Sequence, residues 1–199
     1  MIEKLAKKVV AWQVKKDHLS KKDEKLYTYA YELLIGQAVN IMIACFLAIV
    51  FHSYTTVLIF LASYIPLRSY AGGYHAKTYN MCTIVSTVLM YIVCIAAKVI
   101  PPHYIIWVNL GGGIISGILI FIFAPVQDYN KPLDQAEREC YRRRSREVWT
   151  AETVLLVICY LLNARNISLA VTLGHLVLSV LLCIGSVKNK YLQKNRDTE

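Results

Sequence analysis

Between residues 68 and 82 the chain reads Arg-Ser-Tyr-Ala-Gly-Gly-Tyr-His-Ala-Lys-Thr-Tyr-Asn-Met-Cys, and its residue types suit attack on a carbonyl. A cysteine thiol ionises near pH ~8.5 and is mostly protonated at neutral pH, so a nucleophilic Cys needs a base or an imidazolium beside it. His75 is a candidate base for a nucleophilic Cys82. The plain alternative is an interfacial histidine followed by a buried cysteine at the start of a span. Spacing restricts the first reading. On one straight helix the two side chains share a face but sit about 10 Å apart, whereas hydrogen-bond reach is about 3 Å. The segment must therefore bend between them, and Thr78, Tyr79 and Asn80 leave room for this. Gly72 and Gly73 reach backbone conformations closed to other residues, so the chain can also fold back just before His75.

Neighbouring residues carry paired readings. Arg68 can pair with a substrate carboxylate or an oxyanion, or snorkel to headgroups. Gly72 and Gly73 can offer N–H groups to an oxyanion, or serve shape alone. Glu32, Gly36 and Asn40 recur every four residues on one helix face. Ionisable residues within a span usually face a partner or a cavity, so Glu32 either orients His75 or is hydrated near the inner end of its span. His18, His52, His103 and His175 have no nucleophile pattern nearby, and His175 is read as a packing or hydrogen-bonding residue. Cys140 lies among Arg138, Glu139, Tyr141 and Arg142, which suggests a solvated helix.

The elements that must position this chemistry are apolar and long. Of 199 residues 56% are hydrophobic and 18% charged, against about 45–50% and about 25% in ordinary soluble domains; mean hydropathy is +0.43. A helix needs about 20 mostly apolar residues to cross a bilayer core. Six blocks approach this: 32–51, 54–67, 81–100, 103–124, 149–163 and 167–187, the second and fifth being short. The expectation is an all-α, polytopic membrane protein forming one membrane domain over 1–199. It has about six transmembrane helices, preceded by an amphipathic interfacial helix within 1–25 that places Ile2, Leu5, Val9 and Trp12 on one face. No apolar run or cleavage site marks a signal peptide there.

The net charge of +9 follows topology rather than a nucleic-acid partner. With both termini inside, the basic residues of 4–25, Arg68 and Lys77, those of 131–146 and those of 188–196 all face the cytoplasm. These make up 20 of the 22 Lys and Arg, leaving Lys98 and Arg165 outside, a strong positive-inside bias. The segment 66–82 then also faces the cytoplasm. Of six cysteines, Cys45, Cys94, Cys159 and Cys183 fall inside the apolar blocks, where Cys behaves as a small hydrophobe. No Cys/His set has zinc spacing, so no metal and no cofactor are expected.

The loop 125–148 opens with a turn at Asn130, Lys131 and Pro132 and continues as a charged helix into the fifth block. Gly113 and Gly117 form a small-xxx-small face, which either packs within the monomer or meets a second copy.

Arg68 to Ala76, with a Cys seven residues after the His, resembles the signature of the AgrB family, the membrane endopeptidases of Gram-positive quorum-sensing systems. Ala124-Pro-Val-Gln-Asp-Tyr-Asn-Lys-Pro-Leu133 is similar to that family's second motif after the fourth span. The resemblance implies a plasma-membrane cysteine peptidase with Cys82 as nucleophile and His75 as base. Arg68, Gly72, Gly73, Glu32, Asn40 and Lys131 are its candidate supporting or substrate-binding residues. The implied partner is an AgrD-like precursor peptide with an amphipathic leader and an acidic tail. Cys82 would attack the carbonyl before that tail, and an internal Cys or Ser would then close a thiolactone or lactone ring. The bilayer and a homodimer are the other implied partners. The competing reading is a small peptide exporter, supported only by Glu32, Gln37, Asn40, Asn109 and His175 at depth.

Overall fold

The computed structural model describes residues 2–16, 20, 23–74, 79–127 and 133–196. Among them the secondary structure is helical: α1 (Ile2–Lys15), α2 (Glu24–Val50), α3 (Tyr54–Ala71), α4 (Tyr79–Val99), α5 (Ile105–Phe123), α6 (Gln135–Leu161) and α7 (Arg165–Arg196). The six apolar blocks fall in α2 to α7, but polar residues extend several helices past them. Helix α6 begins at a capping box, where the Asp134 carboxylate accepts from Ala136 N and Glu137 N while Glu137 accepts from Asp134 N. Its charged half then runs without a break into the apolar half, held by Arg143 and Arg144 on Glu147.

Four helices are long and apolar enough to cross a bilayer: Glu24–Val50, Asn80–Val99, Ile105–Phe123 and Arg165–Leu192. By the same measure α3, short and carrying Arg68, and α6, half charged, fall below the limit. Burial assigns different jobs to the four. The apolar window of α7 is 72% buried inside the protein, against 17% for α2 and α4 and 33% for α5. Helix α7 is thus a central post, packed by α3, α4, α5 and α6, and its small residues Ser168, Ala170, Thr172 and Ser179 let them approach. The outward faces of α2, α4 and α5 expose Phe46, Ile92, Trp107 and Ile118, as lipid-facing helices do.

Two buried clusters fill the bundle. One gathers Ala44, Val57, Phe60, Val93, Cys94, Ile105 and Leu169; the other gathers Leu67, Ala71, Ile120, Ala124, Val126, Leu178 and Leu182. Tyr64 packs against both. Where no water is available, polar side chains pair with one another: Asn109 Nδ2 donates to Ser168 Oγ (3.0 Å) and Thr172 Oγ1 to Asn109 Oδ1 (2.7 Å). The N-terminal helix α1 packs on α2. Ala6 and Val10 are buried on its packed side and Gln13 donates to Tyr31 Oη (2.6 Å), while Leu5 and Trp12 stay exposed.

The glycines of α5 work within the chain, at a different pair of positions from the expected one. A Cβ on Gly112 would meet Thr172 Cγ2 at 2.6 Å and one on Gly117 would meet the Trp149 ring at 2.7 Å, whereas Gly113 faces open space. Gly112→Val should therefore force α5 off α7 and cost about 1–3 kcal/mol, as overpacking does. Gly113→Val should cost far less. Unfolding of the purified protein in one detergent checks the difference.

Candidate active site

Helix α3 ends where its sequence loses side chains. Gly72 takes φ +70° and ψ −144°, and Gly73 takes φ +129°, a region that is essentially glycine's own. The Gly72 N–H closes the helix on Arg68 O (3.0 Å). Space enforces the same choice, because a Cβ on Gly72 would strike the Val126 carbonyl oxygen and one on Gly73 the Arg68 guanidinium.

The chain leaving α3 is then tied to two distant segments. Val126 N donates to Ala71 O (2.9 Å) and Gly73 N to Val126 O (3.3 Å), so Gly72 and Val126 form an isolated parallel bridge. Tyr74 N donates to Leu181 O on α7 (2.9 Å). It reaches that carbonyl because Gly185 has no side chain, and a Cβ there would sit 2.7 Å from Tyr74 N. The Arg68 guanidinium turns back onto the same segment, Nη1 donating to Gly72 O and Nη2 to Tyr74 O (2.6 Å). Asn189 Nδ2 on α7 donates to Gln127 O (2.8 Å), and Gln127 Oε1 accepts from Leu133 N (3.2 Å). The segments at 68–74 and at 124–127, far apart in sequence, thus form one knot against the C-terminal half of α7.

Cys82 stands on the first turn of α4, half-buried, on the wall of a cavity of about 640 Å³ enclosed by α2, α3, α4 and α7. Arg68, Gly72 and Asn40 line the same cavity, and Asn40 Oδ1 is buried without a hydrogen-bond partner among the described residues. Gly73 is buried behind the wall. Glu32 does not line the cavity. It lies within electrostatic reach of Lys7 on α1, whose pKa is raised first by its contact with Glu3 (2.6 Å) and to a lesser degree by Glu32. Within the described residues α4 begins at Tyr79. His75 and Lys131 lie outside the described residues.

Sequence reasoning missed two residues. Glu152, within the fifth apolar block, meets His175 on α7, with His175 Nε2 2.8 Å from Glu152 Oε2. Both side chains are almost buried, and among the described residues His175 Nδ1 has no partner. The available signal was a lone carboxylate inside a span. Tyr64 lines the cavity as well, and it announces itself only as an aromatic one helical turn before Arg68.

Gly72→Ala or Gly73→Ala should lower stability by at least about 1–2 kcal/mol from the positive φ alone and loosen the knot. The looser knot should read out as faster maleimide labelling of Cys82 in a chain whose other cysteines are replaced. Arg68→Lys should do the same, because an ammonium cannot fork onto two carbonyls. Glu152→Ala should cost roughly 3–5 kcal/mol by stranding His175, and Glu152→Leu with His175→Leu should recover most of it. A double-mutant unfolding cycle measures that coupling.

Comparison with known proteins agrees with the geometry. A "Putative AgrB-like protein" of Clostridium perfringens (strain SM101 / Type A) is 27% identical over 195 residues, covering 92% of this chain and 86% of its own. A "Putative AgrB-like protein 2" of Clostridium perfringens (strain 13 / Type A) is 30% identical over 146 residues, covering 69% of this chain and 65% of its own. No solved structure matches significantly. The profile of Accessory gene regulator B matches residues 2–183, which takes in α1 through most of α7 and both halves of the knot, and the chain belongs to the AgrB family.

Proposed function

We propose that this chain is a membrane cysteine endopeptidase that trims an AgrD-like precursor and passes it on as a ring. The observation that carries the reading is the placement of Cys82, which opens a helix on the wall of a cavity shared with Arg68, Gly72 and Asn40. Family membership supplies the quorum-sensing peptide as substrate class. His75 takes the Cys82 proton; the thiolate attacks the carbonyl before the acidic tail; the tail amine leaves with that proton and a thioester remains. An internal thiol or hydroxyl of the precursor then displaces Cys82 and closes the ring. Water must be kept out, since hydrolysis would give a linear product, and the mainly apolar wall contributed by Leu33, Ile41, Phe60 and Leu89 suits this. Helices α2 to α7 serve as six spans, with both termini and the segment 66–82 on the cytoplasmic side, where a new precursor arrives. Lys131 and the arginines of α6 would receive the acidic tail. A second copy would approach along the open faces of Gly111 and Gly113. The exporter reading gains nothing from Asn109 and His175, which are engaged by Ser168, Thr172 and Glu152.

In vesicles holding the protein and its cognate precursor, Cys82→Ala and His75→Ala should each slow tail release by at least about 10³-fold. Wild-type protein should yield a thioester adduct at Cys82, seen by mass spectrometry. Normal cleavage by Cys82→Ala would overturn the mechanism.

A further inference from the structure

Attack of a thiolate on a peptide carbonyl moves an electron pair onto oxygen, and a peptidase needs a hydrogen-bond donor waiting where that charge appears. Several donors at the site are already engaged. The N–H groups of Gly72, Gly73 and Tyr74 donate to Arg68 O, Val126 O and Leu181 O. Arg68 Nη1 and Nη2 donate to Gly72 O and Tyr74 O. Along the cavity wall, Ser69 Oγ donates to Ile65 O (2.8 Å) and Thr87 Oγ1 to Thr83 O (2.8 Å). Breaking the bonds of residues 72–74 or of Arg68 to serve the reaction would unpair a backbone group.

Tyr64 is differently placed. Its ring lies parallel on Phe60, with centroids 5.3 Å apart and planes 11° from parallel, and packs against both buried clusters, so the phenol is stiff. Among the described residues its hydroxyl has no hydrogen-bond partner, and it stands within electrostatic reach of both Arg68 and Cys82. All three residues line the same cavity. Tyr29, Gln37 and Asn40 also offer donors there from α2, and Thr83 and Ser86 from α4, whereas Tyr64 and Arg68 are successive turns of one helix.

We propose that the Tyr64 hydroxyl donates the hydrogen bond that holds the oxyanion formed when Cys82 attacks the precursor. The inference rests on the reading of Cys82 as nucleophile. In the step, the S–C bond forms as the C=O pair moves to oxygen, where Tyr64 O–H holds it. The pair returns, the C–N bond breaks, and the tail nitrogen takes the proton that had left the thiol. Tyr64 keeps its own proton throughout. It serves again when the internal nucleophile attacks the thioester, because the same carbonyl oxygen is charged a second time. Arg68, fixed on the two carbonyls one turn away, polarises the phenol without touching substrate.

Tyr64→Phe removes one oxygen atom and keeps the ring on Phe60. It should lower kcat for tail release about 10²–10³-fold with KM little changed. The unfolding midpoint and the rate of maleimide labelling of Cys82 should stay at wild-type values. A kcat within about threefold of wild type, or a loss confined to KM or to labelling, overturns the inference. Should Tyr64→Phe fold poorly, Tyr64→3-fluorotyrosine retains the hydroxyl with a more acidic phenol. The alkaline limb of the kcat profile must then move to lower pH, and an unmoved limb overturns the inference. Cys82→Ala separates the two levels: if it cleaves, the peptidase reading falls, and if it is dead while Tyr64→Phe is fully active, only the role of Tyr64 falls.

Discussion

Backbone that leaves a helix near a membrane must find partners for its N–H and C=O groups within the protein, because each unpaired group in a low-dielectric setting costs several kcal/mol. Residues 72–74 meet that requirement almost completely. Their three N–H groups go to Arg68, Val126 and Leu181, and the carbonyls of Gly72 and Tyr74 go to the Arg68 side chain. Three segments that are remote in sequence are joined by these bonds, so the loop after α3, the loop after α5 and the end of α7 hold one another in place. The cavity wall that carries Arg68 and Gly72 inherits its shape from this pairing.

The bundle is arranged to support that joint. Helix α7 is buried along most of its apolar length, and the helices around it reach it through small residues. Gly112 admits Thr172, Gly174 admits Ser63, and Gly185 admits the backbone of residues 73 and 74. The buried polar pairs Asn109 with Ser168 and Thr172, and Glu152 with His175, add direction to a packing that apolar contacts alone leave free to slide. Lipid supplies no hydrophobic drive between helices, so close backbone approach and interhelical hydrogen bonds carry more of the specificity than they would in water.

Much of this was legible in the sequence. Blocks of apolar residues located α2 to α7 because a bilayer-length run leaves few alternatives, and Gly72-Gly73 announced a reversal because two adjacent positive φ angles admit little else. Helix ends were less legible: α6 starts at Gln135 on the strength of the Asp134 cap, although its first half is charged. Pairings between distant segments were not legible at all. Nothing local to Val126 says that it bridges to Gly72, and nothing local to Glu152 says that His175 stands opposite. Arg68 was read as a substrate or headgroup partner because a cation at a span end has those two ordinary uses. Its third use, bracing two carbonyls of its own chain, depends on a backbone course that spacing cannot reveal.

That bracing bears directly on the chemistry. The carbonyl of Tyr74 belongs to the same planar peptide unit as the nitrogen of the next residue, His75. Tyr74 is held at its N–H by Leu181 and at its C=O by Arg68, and the Lys188 ammonium rests over its ring at 5.1 Å. Tyr74 is thereby held from two sides by α3 and α7, while Cys82 is fixed by α4. The planar fork of an arginine engages two carbonyls two residues apart at once and so holds the course of the chain between them, which is why a lysine of equal charge at position 68 cannot do the same work.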